Sequence, residues 1–260
     1  MNYPNNNTNF SQDAFFKGFQ IGDEINDLCY QKILPGIEVL TALSRINTQV
    51  VYIIDYFKKN YLYVSDNPMF LCNHSVEEVQ QTGPPFYKKI VPPEDLEMLF
   101  EIKEKASKLF YQYPVEERSG LSISYDFRMI QPDSKVIMVN YKSTPISLTP
   151  NGDLWLALCL ISLSSKKTIG NVIVNSKNDL RKYSYSFKSK KWKEISIVKL
   201  SIRENEVLRL SAQGYSNKNI ANLLYIDINT VKSHKKNIFQ KLDVKNINEA
   251  ITFANNNNLL

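Results

Sequence analysis

Two hydrophobic rhythms divide this chain. Over its middle, apolar residues come in short runs and alternations of strand type. Val50-Val51-Tyr52-Ile53-Ile54 is a β-branched run, and Tyr61-Leu62-Tyr63-Val64 follows it after the polar Lys58-Lys59-Asn60 turn. Leu121 to Ile130 alternates polar and apolar, and Lys135 to Ile146 and Leu154 to Leu163 follow. Turn residues at Gln131-Pro132-Asp133-Ser134 and Pro150-Asn151-Gly152-Asp153 separate these three, which predicts antiparallel pairing. Between the first two strands and the last three lies helical spacing: short pieces through Val76-Glu77-Glu78-Val79, then a longer helix from Pro93 carrying Leu96, Leu99, Phe100 and Ile102 towards Phe110.

From Leu200 the rhythm becomes that of helices. Ser201-Ile202-Arg203-Glu204 is a capping box, in which the Ser oxygen takes an orphan amide and Glu204 reaches back. Val207, Leu208 and Leu210 continue that helix, and Gly214 is suited to its left-handed cap. Ser216 caps a second helix with Ile220, Leu223 and Leu224 on one face. A third starts near Asn229, with Asp227 available as its cap. At about 100° per residue, Val231, His234, Ile238 and Leu242 fall within roughly 80° of one another and predict its buried stripe. The opposite arc holds Asn229, Lys232, Ser233, Lys236, Asn237 and Gln240, with no acid and no large apolar group. Such donors and amides suit the base edges of a DNA major groove. Lys235 and Lys241 flank the arc, within reach of phosphates. A fourth short helix carries Ile247, Ala250, Ile251 and Ala254 at i, i+3, i+4 and i+7; part of this stripe must cover the domain core, and its small residues also allow a second copy to approach.

The pattern after Leu200 resembles the LuxR-type (GerE) helix-turn-helix. The matching residues are Leu200-Ser201 with Glu204, Val207-Leu208, Gly214, Ser216-Asn217-Lys218 with Ile220-Ala221, Asn229-Thr230-Val231-Lys232 with His234, Asn237-Ile238 and Lys241-Leu242. Asn219 stands where an acid is common, and Asp227 replaces a frequent Ser. The resemblance implies a four-helix domain whose third helix enters the major groove and which often dimerises through the fourth. It places Lys232, Ser233 and Lys236 at bases, and Ser216, Lys218 and Thr230 near phosphates. Dimerisation through Ile247, Ala250, Ile251 and Ala254 is the matching expectation.

The order of elements from 47 to 165 resembles a PAS domain, a five-stranded antiparallel sheet with helices on one face. Ile54-Asp55 at a strand end, Tyr63-Val64-Ser65-Asp66-Asn67, and Val91-Pro92-Pro93-Glu94-Asp95-Leu96 before the long helix carry the likeness, with Pro92 departing from the family's usual residue. The fold class expected is therefore α+β: a PAS-like five-stranded sheet with helices, then an all-α four-helix domain. The divisions expected are an N-terminal tail and helical segment over 1–46, the PAS-like domain over 47–165, a basic aromatic linker or β-extension over 166–195, and the helix-turn-helix domain over 196–260. Tyr183, Tyr185 and Phe187 have strand-like spacing, which favours the β-extension. Phe70, Phe86, Tyr87, Phe100 and Phe127 are candidate walls for a small-molecule pocket, and equally good core residues.

Charge sharpens this picture. The net charge is +6, yet Lys177 to Leu260 carries sixteen Lys/Arg against seven Asp/Glu, leaving the rest near −3. A basic region on a near-neutral body points to a polyanion. The mean hydropathy of −0.31 and a longest apolar run of Leu154 to Leu163 argue against a membrane protein. The polar opening Met1 to Thr8 has neither the basic nor the apolar stretch of a targeting signal, so a frayed tail and a cytoplasmic location are expected.

Cys29, Cys72 and Cys159 are too scattered for a disulfide framework or a cysteine zinc site. His74 has no partner at metal spacing, and no catalytic constellation, cofactor motif or metal set stands out. Asp55 follows an apolar strand as a receiver's phosphoacceptor would, but three successive strands over 121–165 do not fit a receiver's alternation of strand and helix. The function expected is a non-enzymatic, DNA-binding transcriptional regulator. Its partners are double-stranded DNA, a second copy of itself and a small-molecule ligand in the PAS-like domain. The alternative is a protein-interaction module with a repurposed helix-turn-helix, for which the exposed arc lacks apolar anchors.

Overall fold

The computed structural model describes residues 12–20, 25–177, 181–195, 200–256 and 259. The frayed tail expected over Met1 to Thr8 lies outside them. The chain divides into two compact units, residues 1–195 and 196–260.

The first unit opens with α1 (Gln12–Phe16), α2 (Asp27–Gln31) and α3 (Leu34–Ile46). The hairpin β1 (Val50–Asp55) and β2 (Asn60–Val64) follows. Next come the short helices α4 (Pro68–Leu71), α5 (Val76–Thr82) and α6 (Tyr87–Ile90), the long α7 (Pro93–Gln112) and α8 (Val115–Arg118). The remaining strands are β3 (Leu121–Ile130), β4 (Val136–Leu148), β5 (Leu154–Leu163), β6 (Gly170–Ser176), β7 (Lys182–Ser186) and β8 (Lys191–Ile195).

Among the described residues the sheet has eight strands, in the order β2-β1-β5-β4-β3-β6-β7-β8, with every neighbouring pair antiparallel. The first five strands lie side by side in the order β2-β1-β5-β4-β3, with α4 to α8 between β2 and β3 in the chain. The expectation of a five-stranded sheet is corrected: β6 pairs with the free edge of β3, and β7 and β8 continue outward. The reason is side-chain anchoring. Tyr185 donates to Glu101 of α7 at 2.7 Å, and Lys190 approaches the same carboxylate to 2.5 Å. Burial would raise the Glu101 carboxyl, but these bonds outweigh it and hold it below its ordinary value.

Helices also cover both faces of the sheet rather than one. β1 is buried along its whole length because its two faces meet different layers. Val50, Tyr52 and Ile54 join the main core beneath α4 to α7, while Ile53 packs with Trp155 and Leu156 under Tyr30, Ile33, Ile37 and Leu40 of the α2–α3 region. Each large apolar side chain so enclosed contributes about 1.5–3 kcal/mol.

The expected pocket walls mostly fill space. Tyr52 stacks on Phe70 with centroids 5.2 Å apart, and Phe70 meets Phe86 and Tyr87 edge-on at 5.7 and 6.1 Å. Phe127 lies 5.9 Å from Tyr87 and is fully buried. Phe100 is half-buried against the same core. A cavity lies beside these rings, between the inner face of α7 and strands β3 to β6.

Asp55 is buried and accepts bonds from Tyr30 Oη at 2.7 Å and from the amides of Phe57 and Lys58 at 2.9 Å each. It closes the β1–β2 turn, so its carboxylate is occupied by structure. Asp95, in the first turn of α7, is fully enclosed and takes the Arg128 guanidinium and, at 2.8 Å, the Arg128 backbone amide. That bond ties α7 to β3 just beyond the last β3–β6 pair, Asp126 with Gly170.

The second unit contains α9 (Ile202–Ala212), α10 (Asn217–Leu224), α11 (Ile228–Leu242) and α12 (Ile247–Asn256). Its core is Val207, Leu208, Ile220, Ala221, Val231, Ile238, Leu242, Ala250 and Ala254. The capping signals work as read. Ser201 and Glu204 form both bonds of the box. Gly214, at φ +87°, lets the Tyr215 amide reach back to the Leu210 carbonyl at 3.1 Å.

Candidate nucleic-acid interface

The interface is built on α11. Asp227 fixes its start, with a carboxylate oxygen accepting the Asn229 amide at 2.7 Å. Val231, Ile238 and Leu242 anchor it in the core, with Phe239 half-buried beside them. His234, expected in the buried stripe, is half-buried at its margin, where α11 turns out of the core.

The opposite side is open. Asn229, Thr230, Lys232, Ser233, Lys236, Asn237 and Gln240 are all exposed. This face therefore offers ammonium groups, amides and hydroxyls without an acid among them. Lys235 is half-buried at its border, and burial pushes its ammonium down from the ordinary lysine value. At the start of α10, Ser216 Oγ accepts the Asn219 amide at 3.2 Å, which leaves its hydroxyl proton to donate outward. Lys218 is exposed in the first turn of that helix.

Two sets of expected contact residues are engaged within the domain. Lys241, read as a phosphate contact, has its Nζ 2.7 Å from Glu204, whose side chain is buried. It closes the base of the domain by joining α11 to the capping carboxylate of α9. No local signal announced this pair, because 37 residues separate its members. Ala250 and Ala254, read as a surface for a second copy, are fully enclosed in the domain's own core. Their small size lets α12 settle closely onto the helices that precede it. Ile247 and Ile251 remain half-buried.

The Glu204 carboxyl is raised by burial but lowered more by Lys241 and by the Ser201 bonds, so it stands below its ordinary value. Its contribution to stability is present above the usual carboxylate range and is lost as pH falls through the lower folded value. Glu204→Gln should remove that acid dependence and cost the domain about 1–2 kcal/mol through the weakened cap and pair. Amide exchange along α9 and α11 from pH 7 to pH 3 reads it. Identical acid profiles for the two proteins would refute it.

The described residues contain no group of three or more His, Cys, Asp or Glu able to hold a metal. The three cysteines are free thiols. His74 serves the cap of α5, with Nδ1 3.3 Å from the Glu78 carboxylate. Among the described residues no helix is long and apolar enough to cross a membrane.

Residues 198–254 match the family profile described as bacterial regulatory proteins, luxR family. The response regulator protein VraR of Staphylococcus aureus is 46% identical over 61 residues, which cover 24% of this chain and 29% of that protein. The VraR of Staphylococcus epidermidis gives the same figures. The chain thus spans less than a third of the curated relatives it matches. Among solved structures, the VqmA dimer of Vibrio cholerae is 14% identical, covering 85% of this chain and 87% of that one, with a TM-score of 0.30. A PAS domain of a Colwellia psychrerythraea protein is 17% identical over 50% of this chain and 99% of that one, with a TM-score of 0.34. At such scores the superpositions establish no shared arrangement.

Proposed function

Because residues 198–254 form a domain of the luxR family of bacterial regulatory proteins, we propose that this chain regulates transcription by laying α11 in the DNA major groove. Lys232, Ser233 and Lys236 meet base edges. Ser216, Lys218, Thr230 and Lys235 meet phosphates on either side. The observation that carries this reading is the division of α11 into two sides. Val231, Ile238 and Leu242 are enclosed, while the polar arc around Lys232 and Lys236 is exposed throughout. A surface for another protein would carry apolar anchors at its centre, and this arc has none.

The first unit acts as the sensing or pairing part, and the chain works as a cytoplasmic dimer. Two copies related by a two-fold axis would read half-sites about 34–36 Å apart. With Ala250 and Ala254 enclosed, Ile247 and Ile251 are the α12 residues left to meet a second copy.

The test is selection of duplex DNA from a random pool with the full chain, followed by affinity measured against salt. The expected result is an enriched, two-fold symmetric sequence whose log K falls linearly with log[salt], at about −0.9 per neutralised phosphate. Failure to enrich any sequence, or affinity indifferent to salt, would end the proposal.

A further inference from the structure

The cavity between α7 and strands β3 to β6 measures about 80 Å³. Its walls are apolar, from Phe19, Phe110, Leu121, Leu154 and Val174, with Tyr56, Tyr125 and Tyr141 among them. One charged side chain lines it, Lys103 of α7. Lys103 keeps only 9% of its surface exposed. Its Nζ lies 3.7 Å from the centroid of the Phe15 ring, and no described carboxylate pairs with it.

An ammonium so enclosed is costly, and burial pushes its pKa down to about 8. Its neighbours do not compensate it. The cation–π contact with Phe15 supplies only part of what water would. Burial raises the phenols of Tyr56, Tyr125 and Tyr141 well above their ordinary value, so they stay protonated and able to donate. The cavity thus presents one cation and several hydroxyls at an apolar wall, and lacks an anion.

We propose that this cavity binds a small monocarboxylate with an apolar body, its carboxylate paired with Lys103 and its body against the aromatic wall. The inference rests on the reading of the first unit as a sensing domain and names the chemistry it senses. A carboxylate supplies the single negative charge that Lys103 lacks. A phosphate ester would bring a second charge with no second cation in the lining to meet it. Size sets the other limit: an apolar cavity of about 150 Å³ takes benzene, so this one, at about 80 Å³, suits short acids.

The experiment is calorimetric titration of the full chain with propionate and butyrate, set against propanol and butanol, which match their bodies without the charge. The acids should bind at least tenfold more tightly than the alcohols. Lys103→Met keeps the length of the side chain and removes its charge. It should weaken the acids at least tenfold and leave the alcohols unchanged. A second reading needs no variant. At pH 9 most Lys103 is neutral in the free protein, so acid binding should take up a proton, seen as a buffer-dependent heat that vanishes at pH 7. Equal binding of acids and alcohols, absence of proton uptake, or no binding by any probe would overturn the inference. DNA affinity measured on the same samples separates the two readings. Normal DNA binding without acid binding sinks this inference alone, and acid binding without DNA binding sinks only the regulatory one.

Discussion

Arg128→Ala should cost the first unit about 3–5 kcal/mol, because it leaves the enclosed Asp95 carboxylate without its counter-ion. Asp95 has no exposed surface, and the Arg128 guanidinium reaches it through Nε and Nη2 while also meeting Glu94 at 2.8 Å. For a unit of this size the loss corresponds to a fall in melting temperature of about 10 °C. The second unit, with its own core, should keep its transition. Differential scanning calorimetry of the full chain resolves both. Asp95→Asn should cost less, since an amide oxygen can still accept the Arg128 backbone amide. Replacing both partners by Leu and Met should not restore stability fully, because that amide, bonded to Asp95 at 2.8 Å, would then be left without an acceptor. A melting temperature for Arg128→Ala within 2 °C of the parent, a margin of roughly 1 kcal/mol, would show the pair to be ornamental.

The parts of this molecule that could be read from sequence are those whose causes are local. Caps at Ser201, Ser216 and Asp227 and the turn at Gly214 act within five residues, so their residue types announced them. The two sides of α11 follow from 3.6-residue periodicity, and the exposed arc emerged as expected. What depended on partners distant in sequence was hidden. β6 alternates clearly in burial, with Val172 and Val174 inward, yet it is short and begins at Gly170. Its pairing partner lies some fifty residues earlier, on β3. The small stripe of α12 is compatible with either a second copy or the domain's own core, and only packing decides between them. Lys103 did leave a trace. It falls on the buried stripe of α7 with Leu96, Leu99 and Phe110, where a charged residue is out of place. Here a misplaced charge on an apolar stripe points to the cavity better than the aromatic rings, most of which simply packed together.

The other large effect is expected at the DNA surface. Lys232→Ala and Lys236→Ala should each cost about 1–3 kcal/mol on the selected sequence if each lysine reads a base. Being four residues apart on one helix face, the two will couple, so the double variant should fall short of the sum or exceed it by about 0.5 kcal/mol or more. Even the lower end for a single change is about a fivefold loss. Neither lysine makes an ion pair with a described residue, so the free protein should keep its stability within about 0.5 kcal/mol. Lys218→Ala and Lys235→Ala provide the contrast. As phosphate contacts they should weaken selected and unrelated DNA alike and flatten the salt slope by about one. Lys241→Ala should do neither first; it should loosen the domain, because its ammonium holds Glu204. Three lysine groups on one short helix and its neighbour thus have three separable signatures: lost discrimination, lost salt dependence and lost stability. If the Lys232 and Lys236 variants lost selected and unrelated DNA by the same factor, α11 would touch only the backbone, and sequence would have to be read elsewhere.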